Sequence, residues 1–301
     1  MTEEEEIAAL VDDIAAAGWP EGLDAEREAM EAEAPPLAND ISVKRMELAG
    51  RPAEILTAPT GKGDGSILYL HGGGYVYGSL ASHRGLVGEI ARATAFEVIQ
   101  LDYRLAPEHP FPSALEDAAA AVKQLYGSGV APEGLVLMGD SAGGGLVLAT
   151  LLELRNTGWP MPGRAVCVSP WTDLTCSGES YRTRSALDPM LDRKLASKLA
   201  ALYAGSAKLD DPRLSPLFAD LAGLPPILIQ IGAREVLYSD ASEFAARAQA
   251  AGSPVTLEEW PEMIHVWHLY FPRLKAARAA IARIASFLDT VSANATVGPL
   301  P

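Results

Sequence analysis

The residues best suited to chemistry form the pentapeptide Gly139-Asp140-Ser141-Ala142-Gly143. It follows Leu135-Val136-Leu137-Met138, an apolar run typical of a buried strand, and precedes residues 144–153, whose composition favours a helix. A serine with a small residue two positions away on each side, between a strand and a helix, is the pattern of a nucleophile elbow. Backbone N–H groups at the start of that helix stabilise negative charge beside the hydroxyl. The alternative interpretation is an ordinary glycine-rich turn entering a helix.

A serine nucleophile needs a base, and the base needs an acid that orients it. The chain has five histidines, and only His265 and His268 follow the serine and an acid in the order that α/β-hydrolases use. His265 falls in the loop directly after the last predicted strand, where a side chain reaches the carboxyl ends of the sheet. We therefore predict His265 as the base; the alternative is a surface histidine with no catalytic role.

The acid is expected to follow the strand predicted at residues 226–231, where Glu235 and Asp240 are the candidates. Asp240 precedes a predicted helix at capping-box spacing to Glu243, which gives it a structural explanation. That leaves Glu235, three residues beyond Gly232, as the predicted acid. Asp240 stays open as the alternative.

The third requirement is a set of donors for the oxyanion. His71-Gly72-Gly73-Gly74 follows a strand predicted at residues 66–70 and matches the esterase loop that supplies such donors. The backbone N–H of Ala142, directly after the serine, adds one more. Glycines allow the backbone to approach the substrate closely. The alternative interpretation of the glycine run is a flexible turn.

Other kinds of site fail on spacing or charge. Neither glycine cluster fits the dinucleotide pattern G-x-G-x-x-G, and no His-x-x-x-His or Cys-x-x-Cys pair indicates a metal, so we predict no cofactor and no metal. The net charge is −15, and residues 1–40 hold 13 acidic residues and one basic residue, which gives −12 of that total. A nucleic-acid partner is not expected, because phosphate binding requires basic clusters.

The length suits one large α/β domain with or without a small appended lid, or two domains, and the cysteines and the N-terminus favour the cytoplasm. The chain has 301 residues, of which 49% are hydrophobic, enough for a sizeable core. Its two cysteines, Cys167 and Cys176, are too few for a disulfide scaffold. The acidic first residues are unlike a signal peptide, and no apolar run has the length of a membrane span.

The elements that must position these residues alternate along the chain. Helices are predicted at residues 3–17, 24–34, 80–94, 113–126, about 191–204, 241–251 and 273–289. Strands are predicted at residues 42–48, 53–58, 66–70, 96–101, 135–138, 164–169, 226–231 and 255–260. Apolar strands alternating with helices predict a mostly parallel sheet covered on both faces. Residues 170–222 break the alternation and are interpreted as an insertion, and residues 291–301 as a disordered tail.

The ordered set of motifs resembles the hormone-sensitive-lipase-like family (bacterial family IV) of carboxylesterases, in the α/β-hydrolase superfamily. The matching stretches are His71-Gly72-Gly73-Gly74, residues 102–112, Gly139-Asp140-Ser141-Ala142-Gly143-Gly144, Ser169-Pro170-Trp171, Glu235-Val236-Leu237 and His265. The resemblance implies an eight-stranded, mostly parallel α/β-hydrolase core over residues 41–290. It also implies a helical cap made of residues 1–40 and an insertion at about 175–215.

By position, the resemblance implies that Gly73, Gly74 and Ala142 are the oxyanion donors. The family usually has Asp at the position of Glu235, and some members have Glu there. Four residues are hypothesised to line the substrate pocket, although core packing explains each equally well: Tyr77, Trp171, Leu187 and Met190.

The implied reaction is hydrolysis of short- to medium-chain acyl esters through an acyl-enzyme on Ser141, with a small-molecule ester as the partner. A lactone hydrolase and an amidase or peptidase on the same fold remain alternatives. A ligand-binding protein without activity is a remote one, because such proteins lose the base and His265 is present. The resemblance also implies a possible homodimer.

Overall fold

The computed structural model describes residues 3–59, 63 and 65–292. Of the tail predicted at residues 291–301, residues 293–301 lie outside the described residues. Residues 291 and 292 end the last helix. In the described part of the chain, no helix is both long enough and apolar enough to cross a membrane.

Eight strands form one sheet within the described residues. They are β1 (Ser42–Leu48), β2 (Arg51–Thr57), β3 (Ser66–Leu70), β4 (Glu97–Leu101), β5 (Leu135–Asp140), β6 (Arg164–Val168), β7 (Ile227–Gly232) and β8 (Val255–Trp260). The strand order is β1-β2-β4-β3-β5-β6-β7-β8. The β1–β2 and β2–β4 pairs are antiparallel, and the remaining pairs are parallel. The predicted eight-stranded, mostly parallel sheet is confirmed.

Helices cover both faces of this sheet. They are α1 (Glu3–Ala17), α2 (Leu23–Ala32), α3 (Leu80–Thr94), α4 (Ser113–Gly127), α5 (Ala142–Asn156), α6 (Ser180–Thr183), α7 (Arg193–Ala204), α8 (Tyr238–Ala250) and α9 (Lys275–Ser292). Successive residues of β3 enter different cores, because side chains along a strand alternate between faces. Leu68 and Leu70 join a core with α4, α5 and α8, while Ile67 and Tyr69 join one with α3 and α9.

Helix α1 buries its apolar face against the C-terminal part of the chain. Ile7 and Leu10 are buried in one cluster with Trp267, Leu274 and Ala277. Two ion pairs at the same junction join Arg273 to Asp13 at 2.6 Å and Lys275 to Glu6 at 3.9 Å. The segment that follows His265 therefore provides the packing partner that the amphipathic pattern of α1 requires.

Candidate active site

The chain turns from β5 into α5 at Ser141, where the backbone adopts φ 52° and ψ −122°. Few non-glycine residues adopt this conformation, so the elbow is strained. A Cβ at Gly139 would lie 2.5 Å from the Gly143 carbonyl oxygen, and one at Gly143 would lie 2.0 Å from that of Leu70. Both flanking positions therefore require glycine.

Three sequence-predicted residues lie in one hydrogen-bonded row. Nε2 of His265 is 2.9 Å from Oγ of Ser141, and its Nδ1 is 2.7 Å from Oε2 of Glu235. A carboxylate can only accept, so Nδ1 carries the proton and the lone pair of Nε2 faces the serine hydroxyl. Ser141 and His265 are 8% and 7% exposed, and Glu235 is fully buried. The arrangement has the geometry needed to remove a proton from Ser141.

The second oxygen of Glu235 is also held. Oε1 accepts from the Gly232 N–H at 2.6 Å and from the Ser169 hydroxyl at 2.8 Å. The Ser169 hydroxyl in turn accepts from the Val266 N–H at 3.3 Å, next to His265. Ser169 therefore links the acid to the loop that carries the base. No role was predicted for Ser169 from the sequence, although its position at the end of the predicted strand at residues 164–169, between β5 and β7, was an available signal.

Charge and burial set the pKa values of His265 and Glu235 in this hydrogen-bonded row. Burial lowers the pKa of His265, but the hydrogen bond and charge of Glu235, with the charges of Asp188 and Asp140, leave that pKa above its usual value. Burial raises the pKa of Glu235, and the bond from His265 offsets only part of that increase. A raised pKa at His265 strengthens it as a base toward the serine proton.

Asp240, the alternative acid, lies elsewhere and does not cap a helix. Helix α8 begins at Tyr238 with Leu237 as its N-cap, so Asp240 lies in the first turn, and the capping-box prediction is wrong. Its Oδ1 accepts from the backbone N–H groups of Thr172 at 3.0 Å and Asp173 at 2.8 Å. Burial raises its pKa well above the usual range. Asp240 therefore holds the chain that follows β6.

The glycine loop beside Ser141 has the backbone that its residues allow. Gly73 and Gly74 have φ of 112° and 61°, and a Cβ at Gly73 would lie 2.4 Å from the Tyr77 carbonyl oxygen. Ala142 is the first residue of α5, where the N–H has no partner within the helix. Gly73 and Gly74 line the same cavity as Ser141, and Ala142 directly follows it. Their role as donors to an oxyanion stays a prediction.

Asp140 holds the glycine loop in place. Its Oδ1 accepts from the Gly72 N–H at 3.0 Å and the Tyr69 hydroxyl at 2.7 Å, and its Oδ2 is 3.4 Å from Nε2 of His83. Burial raises the pKa of Asp140, but His83 and Tyr69 together lower it below the usual value. The residue before the nucleophile thus remains an anion that fixes the loop opposite it.

His71 also braces this loop. Its Nδ1 lies 2.8 Å from the Gly72 carbonyl oxygen, and its ring stacks on Tyr103 at 4.3 Å. Burial, with the nearby His83, lowers the pKa of His71 to about 3. A ring that stays neutral and buried supports the backbone and is not poised to move protons.

Ser141 and His265 open into a cavity of about 310 Å³. Its wall is mostly apolar and comes from α1, α2, the residues between them, and residues 189–199. Of the residues expected to line it, Tyr77, Trp171 and Met190 do, and Leu187 does not. Leu187 lies in a turn, where its N–H bonds to the Arg184 carbonyl oxygen at 2.8 Å, and it is 45% exposed, so it faces solvent and not the cavity.

Metal ligands are not grouped near this cavity. The described residues contain no cluster of three or more His, Cys, Asp or Glu that could hold a metal ion. Cys167 and Cys176 are buried free thiols. Burial raises the pKa of Cys176 to about 11, which leaves it a poor nucleophile at neutral pH.

Known proteins resemble this chain over most of its length. The alpha/beta hydrolase fold family matches residues 67–269. An acetyl-hydrolase from Streptomyces hygroscopicus is 48% identical over 227 residues, which are 75% of this chain and 76% of the relative. The crystal structure of EstE5 soaked with p-nitrophenyl butyrate has a TM-score of 0.91 at 46% identity, covering 94% of this chain and 97% of that one. An esterase from the bacterial hormone-sensitive lipase family gives 0.92 at 44% identity, covering 96% and 98%.

The sheet order, the elbow and these similarities define a class. The chain belongs to the alpha/beta hydrolase family and, within it, to the hormone-sensitive-lipase-like esterases, which are carboxylic ester hydrolases. The family resemblance that the motifs indicated is confirmed.

Proposed function

We propose that this protein is a serine carboxylesterase that hydrolyses short- to medium-chain acyl esters through an acyl-enzyme on Ser141. One observation carries the proposal. Nε2 of His265, 2.9 Å from the Ser141 hydroxyl, is backed by Glu235 at 2.7 Å, and the hydroxyl faces an apolar cavity.

The reaction follows from these positions. Oγ of Ser141 attacks the ester carbonyl carbon while Nε2 of His265 takes the hydroxyl proton. The carbonyl oxygen becomes negative against the N–H groups of Gly73, Gly74 and Ala142. His265 then gives the proton to the leaving alcohol. A water that His265 deprotonates attacks the acyl carbon, the bond from that carbon to Oγ of Ser141 breaks, and His265 returns the proton to Oγ as the carboxylic acid leaves.

The walls of the cavity favour small esters. A volume of about 310 Å³ is at the lower end of ligand pockets, and the lining is mostly apolar. We propose that residues 1–40 and about 175–215 form a cap over Ser141, since their described parts supply most of this lining. Such a covered site suits a dissolved ester with a short acyl chain. The related protein EstE5 was soaked with p-nitrophenyl butyrate, and we choose this ester as a test substrate of suitable size.

A series of p-nitrophenyl esters of increasing chain length tests the proposal. We expect the largest kcat/KM on short to medium chains, and a loss of at least about 10³-fold in Ser141→Ala. Ser286→Ala is the matched control, because Ser286 is exposed on α9, away from the cavity, and its hydroxyl bonds to the Ala282 carbonyl oxygen at 3.0 Å. Unchanged turnover in Ser141→Ala would contradict the mechanism.

A comparison of leaving groups separates the alternative reactions. An ester, an anilide and a lactone with the same acyl group are supplied to the wild type and to Ser141→Ala. The proposal expects the ester to be turned over fastest. A faster anilide would make the protein an amidase, and a faster lactone would make it a lactonase.

A further inference from the structure

Asp188 lies between the cavity wall and the loop that carries Glu235. It is 8% exposed and precedes Pro189. Oδ1 of Asp188 accepts from the backbone N–H groups of Met190 at 3.0 Å and Leu191 at 3.1 Å. Oδ2 accepts from the backbone N–H of Val236 at 3.0 Å. One carboxylate therefore binds two parts of the chain that are 48 positions apart.

Each carboxylate oxygen of Asp188 holds a segment that belongs to the candidate site. Met190 and Leu191 line the cavity, so Oδ1 fixes part of the wall that a substrate touches. Val236 directly follows Glu235, so Oδ2 fixes the backbone beside the acid. All three partners of Asp188 are donors, and only a carboxylate can accept on both sides. An asparagine amide would direct an NH₂ group at one of the N–H donors.

Further contacts join the segment that contains Asp188 to the loop that contains Glu235. The two are therefore held together at several points. The Ser239 N–H donates to Oγ of Ser180 at 3.0 Å, and the Ser180 N–H donates to Oγ of Ser239 at 3.0 Å. The Ser180 hydroxyl also donates to the Val236 carbonyl oxygen. The guanidinium of Arg184 lies 3.5 Å from the ring centre of Tyr238 and donates to the Ala233 carbonyl oxygen.

The charges that face His265 come from three elements and have one sign. Glu235 contributes from the loop after β7, Asp140 from the end of β5, and Asp188 from the inserted segment. Asp188 raises the pKa of both His265 and Glu235. Removing its charge therefore lowers the pKa of His265, whereas loosening the fold alone leaves the charges around the ring unchanged.

We propose that Asp188 is a positioning residue for the reaction at Ser141, holding the Met190–Leu191 wall and the Glu235 loop in one arrangement. The inference rests on the proposed esterase activity. Asp188 touches neither substrate nor the reacting atoms; it acts through the acid loop and through the wall. Seating of the acyl chain and orientation of the base are thereby coupled in one carboxylate.

The test is Asp188→Asn, with kcat and KM measured from about pH 5 to about pH 9 on a short and a longer p-nitrophenyl ester. We expect kcat to fall about tenfold, KM to rise more for the longer ester, and the acid limb of kcat/KM to move about half a unit lower. Asp220→Asn is the matched control, because exposed Asp220 also accepts a backbone N–H, from Ala222 at 3.0 Å, and lies outside the cavity wall.

Active-site titration with a phosphonate ester corrects every rate for the fraction of folded enzyme. If corrected Asp188→Asn keeps the wild-type KM values and the wild-type acid limb, Asp188 is only structural and the proposal is overturned. If that variant does not fold, Asp188→Glu replaces it. This variant keeps the charge but displaces it, and should show the wild-type acid limb with lower kcat; a shifted limb would overturn the proposal. Failure of the esterase proposal itself would appear separately, as absence of ester turnover in the wild type.

Discussion

The two oxygens of Glu235 perform different tasks. Oε2 orients His265, while Oε1 is fixed by Gly232 and Ser169. The longer side chain of glutamate lets the loop backbone lie farther from the imidazole than an aspartate would. Orientation of the base then depends on the donors that hold Oε1, and Ser169 is one of them.

Glu235→Gln tests the assignment of the acid. The amide cannot accept from His265 and from both Oε1 donors without directing its NH₂ group at a donor, so the imidazole loses its fixed tautomer. We expect kcat on p-nitrophenyl butyrate to fall by roughly 10³- to 10⁴-fold while the protein remains folded. Steady-state kinetics and circular dichroism measure the two quantities.

Asp240→Asn is the companion variant. Asp240 binds the backbone of Thr172 and Asp173, and its raised pKa makes an uncharged amide a close replacement. We expect kcat within about threefold of the wild type, with a lower melting temperature. An inactive but folded Asp240→Asn beside an active Glu235→Gln would reverse the assignment.

Single residues differ in how well the sequence predicts their position in the site. Ser141 and His265 were predictable because the elbow and the strand-to-loop order are local patterns. Ser169 and Asp188 were not, because their partners belong to strands and loops many positions away. Leu187 was misplaced because residues 184–187 form a turn in which Leu187 is exposed, and no periodic pattern predicts which residues of such a turn are exposed.

Helix α2 connects the acidic N-terminal segment to the glycine loop. Nε of Arg27 donates to the Val76 carbonyl oxygen at 2.9 Å, and its Nη2 donates to that of Ala106 at 3.1 Å. The same guanidinium pairs with Glu108 at 2.8 Å. Val76 lies two residues after Gly74, so the helix supports the glycine loop, which lines the same cavity as Ser141.

Arg27→Ala should therefore affect chemistry more than binding. We expect kcat to fall about tenfold, ~1.4 kcal/mol of activation free energy, with KM changed less. Arg27→Lys should recover little, since an ammonium cannot reproduce the planar fork. Arg92→Ala is the control, because Arg92 also pairs with carboxylates, those of Asp40 and Glu89, away from the loop. Wild-type kcat in Arg27→Ala would refute a role for α2.

Element positions were predictable where hydrophobic periodicity is strong. The strands at residues 42–48, 66–70 and 255–260 and the helix at 80–94 were predicted with the bounds observed. Helix α8 begins three residues earlier than predicted, at Tyr238. Asp240 is an N-cap residue by type, but tertiary bonds to Thr172 and Asp173 occupy it instead, which no local pattern reveals.

Across the whole molecule, buried histidines outside the candidate site affect stability. His268 is 1% exposed and donates from Nε2 to Oε1 of Gln230 at 2.8 Å. Burial lowers its pKa to about 3 from the usual 6.5. Between these values the unfolded chain binds a proton that the folded chain does not. The free energy of unfolding therefore decreases as pH falls through this window.

His268→Gln should remove this dependence. The amide can still donate to Gln230, and it does not titrate. From about pH 6 to about pH 4.5, we expect the free energy of unfolding of the wild type to fall more steeply than that of the variant, by ~1.4 kcal/mol per pH unit. Urea unfolding at each pH measures both slopes. His109→Gln, at an exposed histidine, is the control substitution. Equal slopes in the wild type and His268→Gln would show that the folded and the unfolded chain bind the same number of protons at His268, which contradicts the lowered pKa.

The packing of α1 on the segment around α9 has a consequence for biosynthesis. About 260 residues separate the end of α1 from the start of α9, so at ribosomal speed α1 waits on the order of tens of seconds for its partner. During this time Ile7 and Leu10 have no surface to bury against. The excess of acidic residues in the first 40 positions favours the solubility of this segment during that interval. The part of the cavity wall that α1 supplies is therefore completed only after Leu274 and Ala277 have left the ribosome.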